Sequence, residues 1–330
     1  MLSLENNQPC DMLAQTTLTV IIDTEEEFDW AAPFNRQSRS VKNIQHQFRA
    51  QEIFKKYNII PTYVIDYAVA EDDQAVEILK EWADKGECVI GTHLHPWVSP
   101  PYEEEVNRVN SYAGNLPYAL EKAKLEILTD FIEKRFDKRP LVFKAGRYGV
   151  GPNTGEILAE LGYLVDSSIL PYTDSSHDHG PDFRKLGSEP YFFEAGGKQL
   201  LELPNSRGYC GLLARYGGSL FPLIAGQSGW RSLMAGILVK SGLLERVPLT
   251  PDGIGSQDHI RVVKSMMATG LNYFNYAYHS SSLMIGGSPY VKNQTELEEF
   301  IQNMDDFFAC YVNEIGGCFK TPLELYDILK

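Results

Sequence analysis

Seven short β-rich runs, separated by amphipathic helical segments, constrain this chain more than any other feature of its sequence. The runs are residues 17–22, 59–65, 87–92, 141–144, 163–166, 200–203 and 271–278. Several are continuous apolar stretches rather than alternating ones, the pattern of parallel strands covered on both faces. Between them apolar residues recur three or four apart. Val41, Ile44, Phe48 and Ile53 mark one face; Val76, Leu79, Trp82 and Ala83 a second; Leu120, Leu125, Leu128, Phe131 and Ile132 a third; Ile157, Leu158 and Leu161 a fourth. Thr295-Glu-Leu-Glu298 reads as a capping box opening a helix through Leu297, Phe300, Ile301, Met304 and Phe308. Parallel strands need crossover connections and helices supply them, so the pattern predicts a βα-repeating fold around a parallel sheet, open or closed.

Two stretches break the alternation. Residues 167–198, rich in Gly, Pro, Ser and Asp, read as a long loop. Residues 205–255 read as an insertion whose helical part, 221–244, is expected to cap the sheet rim and restrict substrate size. Residues 1–16 form an N-terminal extension, and 17–330 read as one domain. With 43% hydrophobic and 22% charged residues the chain is globular. Its net charge of −14 leaves no basic surface to neutralise phosphates, which argues against nucleic acid and anionic membranes as partners. The five cysteines are scattered without CxxC spacing, so neither a zinc knuckle nor a disulfide framework is expected. The first residues lack a basic and an apolar stretch, and no apolar run approaches the roughly 18 residues of a membrane span. A cytoplasmic protein is the expectation; the oligomeric state is open.

The ionisable residues that stand out fall at one kind of place, the carboxyl end of a predicted strand. Asp23 and Glu25 follow the first, His93 and His95 the third, Lys144 and Arg147 the fourth; Asp166 ends the fifth and His279 the seventh. Each alone has a plainer reading. The histidine pair could be ordinary hydrogen-bonding groups, the acidic run 25–27 a solvated face, His279 a core histidine, and Arg147 with Asp166 an ion pair. In a parallel βα-fold, however, all these ends share one rim, where catalytic residues collect. His93 and His95 also share strand parity, so their rings can face one metal.

At these residues the chain resembles the polysaccharide deacetylases with chitooligosaccharide-deacetylase homology, and the likeness runs nearly its whole length. The resemblance implies an α/β fold, a distorted, incomplete (β/α) barrel of about seven parallel strands. It implies a base at Asp23, a metal carboxylate at Glu25, metal histidines at His93 and His95 before Pro96, and an arginine on a strand end that orients the base. Asp166-Ser-Ser168 resembles a fourth motif, and His279 the histidine acting as general acid. Three departures stand out. Asp-Thr-Glu replaces an adjacent aspartate pair, the histidines are two apart rather than four, and Lys144 occupies the strand end with Arg147 three residues on. Either could orient the base.

The activity implied is metal-dependent hydrolysis that removes an acyl (acetyl) group from an N-acetylated sugar or glycan intermediate. The cofactor is a divalent metal held by Glu25, His93 and His95, zinc first, with cobalt and nickel as alternatives. Trp97, Tyr148 and Lys144 are candidate substrate contacts, the two rings as stacking faces for a sugar, with core packing as the plain alternative. A backbone N–H near Tyr148 is a candidate oxyanion donor. Two other functions remain open: hydrolysis of a small cyclic or linear amide that is not a sugar, and carbohydrate binding without catalysis.

Overall fold

The computed structural model describes residues 8–10, 13–224 and 229–330. Its framework is a curled half-barrel sheet. The strands described are β1 (Gln8–Pro9), β2 (Thr17–Thr24), β3 (Thr62–Ile65), β4 (Val89–Leu94), β5 (Val142–Ala145), β6 (Val165–Asp166), β7 (Tyr191–Ala195), β8 (Lys198–Glu202), β9 (Arg207–Cys210), β10 (Glu245–Pro248), β11 (Tyr273–His279) and β12 (Cys318–Phe319). The main sheet runs β1-β7-β8-β6-β5-β4-β3-β2-β11, with β12 alongside the start of β2. From β8 to β11 every pairing is parallel, and these seven strands are the seven expected runs. No pairing joins β11 to β1 among the described residues, so the barrel stays open.

Strand register decides what each face carries. Ile21, Val64, Val142, Val165, Leu201 and Tyr273 share the concave face, where they pack with Leu325 and Tyr326 of the helix Pro322–Leu329. That helix plugs the bottom of the half-barrel, and burying a leucine such as Leu325 is worth about 2 kcal/mol. Two residues further along their strands, still on the concave face, stand Asp23 and Lys144. The opposite face packs on the helices, with Phe54, Leu79, Leu128, Phe143, Leu158 and Phe308 in its core. An apolar floor thus rises to a polar rim on one surface.

Helix starts follow capping chemistry. The Asp72 carboxylate accepts from Ala75 N (2.8 Å), and Thr321 and Glu324 form a reciprocal capping box with Pro322 at the first position. The helix Gln294–Cys310 is capped by Asn293, not by the expected Thr295: Asn293 Oδ1 accepts from Glu296 N (3.0 Å), and Thr295 lies inside the first turn.

The expected long loop 167–198 contains β7, which turns back on β8 through Gly196-Gly197. Both glycines have positive φ (54° and 71°), the conformation of a two-residue hairpin turn. The insertion is a β9–β10 ribbon with Cys210 opposite Glu245 and Arg207 opposite Pro248. The helices Gly217–Ile224 and Gly229–Lys240 lie between the two strands in sequence; residues 225–228 of the expected 221–244 segment are outside the described ones. Leu212, Met234, Ile237 and Val239 there are exposed. No helix of the described residues is long and apolar enough to cross a membrane.

Candidate metal centre and active site

Register brings the rim residues together. Thr24 pairs with Ile65 and Ile65 with Thr92, so Glu25 and His93, each one residue further on, stand level two strands apart. His93 pairs with Lys144, and Asp23 pairs with His279. Ligand atoms of Glu25, His93 and His95 lie within 4.8 Å of one another, and all three residues are buried. His93 Nε2 is 3.5 Å and His95 Nε2 3.3 Å from Glu25 Oε2.

The hydrogen bonds behind these rings decide what they offer. His93 Nδ1 is 3.0 Å from the Lys144 carbonyl, which can only accept, so the ring proton sits at Nδ1 and Nε2 presents a lone pair. His95 Nδ1 stands 2.8 Å from Glu26 Oε2, and Glu26 Oε1 accepts from Trp97 Nε1 (2.6 Å). Burial pushes the Glu26 carboxyl up to about 8 and also raises Asp66, beside it, well above its usual value. With Oε1 taking the Trp97 N–H, Glu26 offers Oε2 as the acceptor for a proton on His95 Nδ1, the arrangement that leaves a lone pair on His95 Nε2. Glu25 Oε1 is buried with no hydrogen-bond partner. Two imidazole lone pairs and an orphaned carboxylate oxygen are a donor set that fits a divalent ion of the zinc class with positions left open. Gly146 makes room for it: a Cβ there would lie 2.2 Å from His95 Cδ2 and 2.7 Å from the Leu94 carbonyl.

Beside this trio lies an acid–base pair. Lys144 Nζ donates to Asp23 Oδ2 (2.8 Å) and is 2.6 Å from Oδ1, which has no hydrogen-bond partner of its own. Burial opposes ionisation of Asp23, but Lys144 foremost, then His93 and His279, outweigh it and hold the carboxyl below its usual range. Burial likewise opposes protonation of His279, yet Glu25, Asp252 and Asp23 push its pKa up to about 9. Asp252 Oδ2 is 2.7 Å from His279 Nδ1 and also accepts from its backbone N–H, and Ser282 Oγ donates to Oδ1 (2.6 Å). A quarter of the His279 side chain is open to the cavity, against 6% for Asp23.

The groups open into a cavity of about 920 Å³, walled by residues 28–34, 106–112, the 205–207 and 248–254 segments and Tyr290. Trp30 stands edge-on to His279, with ring centroids 4.9 Å apart. Tyr148 lines the cavity, and it and Arg147 are consecutive non-glycine residues with positive φ, a strained backbone at the end of β5. Trp97 also lines it, but its ring is stacked on His95 at 4.3 Å and its N–H is committed to Glu26.

Two expected placements differ. Arg147 is on the cavity wall but points away from Asp23, donating to Ser111 and Asp178 with its guanidinium 4.0 Å from the Tyr112 ring centre. Lys144 is the cation on the base. Asp166 is absent from the wall because it pairs with Phe143, one residue out of step with Lys144, which turns it to the other face; its carboxylate accepts from Ser168 beside Glu202. The insertion reaches the cavity wall through Arg207 and Pro248, at the end of the ribbon away from the helices Gly217–Ile224 and Gly229–Lys240.

Sequence reasoning missed Glu26, Asp66, Asp252 and Trp30. Asp252 lies in Thr-Pro-Asp-Gly, which reads as an ordinary turn. Glu26 was merged into an acidic run, although its neighbours Ile21 and Ile22 announce a buried strand end.

No family model and no curated protein matches the chain. Solved structures do. A protein from Mycobacterium smegmatis, provisionally described as a polysaccharide deacetylase, matches over 100% of this chain and 95% of its own at 15% identity, with a TM-score of 0.57. One from Pseudomonas aeruginosa PAO1, with a similarly provisional description, matches over 94% and 89% at 15% identity and 0.53. The Puue allantoinase matches over 94% and 89% at 14% identity and 0.52. The chain has the polysaccharide deacetylase fold, and at such identities the likeness speaks for the fold alone.

Proposed function

We propose that the chain is a metal-dependent hydrolase of carbon–nitrogen bonds that removes an acetyl or related acyl group from an N-acylated amino sugar or glycan intermediate. What carries the reading is one juxtaposition: Glu25, His93 and His95 converge on one side of the Asp23–His279 pair, and both groups open into the same cavity. A divalent ion held by those three residues, zinc by the chemistry of the donors, would polarise the acyl carbonyl and acidify water at neutral pH.

The remaining roles belong to the chain. Asp23, kept ionised by Lys144, takes the proton of the attacking water as its oxygen bonds to the acyl carbon. His279, kept protonated by its carboxylate neighbours, gives a proton to the amide nitrogen as the C–N bond breaks, leaving a free amine and a carboxylic acid. Asp252 orients the imidazole through Nδ1, so Nε2 is the nitrogen turned to the substrate. Trp30 and Tyr148 are rings placed to flank a sugar.

A small cyclic amide is the second reading, since the Puue allantoinase shares the fold. The cavity favours the sugar, because about 920 Å³ lies at the upper end of the range for enclosed small-molecule sites. Elemental analysis should find about one divalent ion per chain, removed together with activity by chelators. Acetate release from N-acetylated mono- and oligosaccharides, run beside allantoin and cyclic imides, separates the substrates. Turnover of the imides alone would replace the first reading with the second, and absence of any metal after reconstitution would overturn both.

A further inference from the structure

The cavity has a second pole. Across the β9–β10 ribbon Arg246 pairs with Tyr209, and Arg207 lies two residues before Tyr209, so both guanidinium groups stand on one face of the ribbon. Arg207 lines the cavity with Asp23, Glu25 and His93. Tyr148 lines the same cavity.

Arg207, which lines the wall, and Arg246 beside it on the ribbon differ from the other arginines of the cavity. Arg108 and Arg147 are each paired with Asp178. Among the described residues, neither Arg207 nor Arg246 has a carboxylate within 4 Å. Arg207 donates to the Thr173 hydroxyl, and its Nε is buried with no partner at all. Arg246 is better provided for, with the Tyr172 carbonyl to accept and the Phe221 ring 4.8 Å away. Burial, and then the like charge of Arg246, bring Arg207 down to about 10, and both side chains are half-buried. A guanidinium in that position is stabilised by a planar or tetrahedral oxyanion that accepts from its unused N–H groups.

We propose that Arg207, reinforced by Arg246, binds an anionic substituent of the substrate, a carboxylate or a phosphate, while the acyl amide lies at Glu25, His93 and Asp23. The inference rests on the hydrolase reading above and narrows it: the substrate is an acidic or phosphorylated N-acyl sugar rather than a neutral one. The acids at the metal end and, at the ribbon end, arginines without a carboxylate partner give the cavity a direction, and such a substrate enters it in one orientation only.

Calorimetric titration of the full metal-loaded chain tests this with four probes: N-acetylglucosamine, its 1-phosphate, its 6-phosphate and N-acetylmuramic acid. At least one anionic sugar should bind about 10–100-fold more tightly than the neutral one, the worth of a charge-assisted contact. The phosphate and carboxylate arms identify which oxyanion fits. In Arg207→Gln the preference should vanish, and in Arg207→Lys part of it should remain. Anions that simply bind the metal would keep their advantage in Arg207→Gln, and that result overturns the proposal. So does equal affinity of the wild-type chain for all four probes, which decides the matter even if Arg207→Gln fails to fold. Acetate release is scored in the same samples. Arg207-dependent binding without acetate release from any probe would remove the hydrolase reading and leave the anion site standing.

Discussion

Asp23 and His279 are register partners on the neighbouring parallel strands β2 and β11, and His279 Nε2 stands 3.9 Å from Asp23 Oδ2. Partners in a parallel ladder point to the same face, so backbone hydrogen bonding rather than loop conformation sets the spacing of the proposed base and acid. Two oppositely tuned groups share one environment: the same carboxylates that raise His279 leave Asp23 low because Lys144 is on it.

Asp23→Asn should keep near-normal metal content and lose about 10²–10⁴-fold in turnover. Glu25→Gln should weaken metal binding, with partial rescue by excess metal. Metal titration with parallel kinetics distinguishes them; loss of metal in Asp23→Asn with an active Glu25→Gln would exchange the two roles. Asp23→Asn also leaves Lys144 buried without a counter-charge, so its thermal midpoint should fall as well.

Lys144→Met should raise the pKa of Asp23, since burial then acts unopposed by its main partner. The acidic limb of the rate profile should move to higher pH, and turnover at neutral pH should fall about 10²-fold. Arg147→Met should leave that limb in place, because its guanidinium braces Ser111 and Asp178 instead. An acidic limb that moves with Arg147 and not with Lys144 would reverse the assignment.

Asp252→Asn should lower the pKa of His279 and shift the alkaline limb of the rate profile to lower pH. The metal-free protein carries a stability signature of the same group. Its folded pKa of about 9 lies above the ordinary value of 6.5, so the stabilisation is complete below pH 6.5 and is lost as the pH rises through 9. Chemical denaturation across that window should show the decline in the wild type and a flatter curve in Asp252→Asn.

Gly146→Ala should displace the His95 ring or the Leu94 carbonyl and weaken metal affinity about 10–100-fold, as should Glu26→Gln, which leaves one accepting oxygen for the two N–H groups of His95 and Trp97. Competition against a chromophoric chelator measures both. Wild-type affinity in Gly146→Ala would mean that the backbone of 146–148 yields more easily than its contacts suggest.

Much of this was legible in the sequence for a physical reason. Buried parallel strands write themselves as apolar runs, and a carboxylate or imidazole directly after such a run has nowhere to go but the rim, which is how Asp23, Glu25, His93, His95 and His279 could be picked out. Asp166 obeys the same rule of position and fails on parity, which a run of apolar residues on both faces does not disclose. The choice between Lys144 and Arg147 needed the turn geometry of 146–148, since the two lie three residues apart and point to opposite partners. Asp252 was hidden because its strand-end neighbours come from a chain segment 27 residues away. The hairpin of β7 could have been found from Gly196-Gly197 between two β-rich runs.

The β9–β10 ribbon has a consequence for the history and handling of the molecule. Cys210 and Glu245 face each other across it, so the 34 residues between them leave and return at nearly one point. A segment attached in that manner is a module: it can be gained, lost or exchanged without disturbing the strands that hold the chemistry. Replacing residues 211–244 by a short Asn-Gly turn should give a shorter chain that still binds metal, uncovers Arg246 by removing Phe221, and sheds the exposed Leu212, Ile237 and Val239 that favour self-association in concentrated solution.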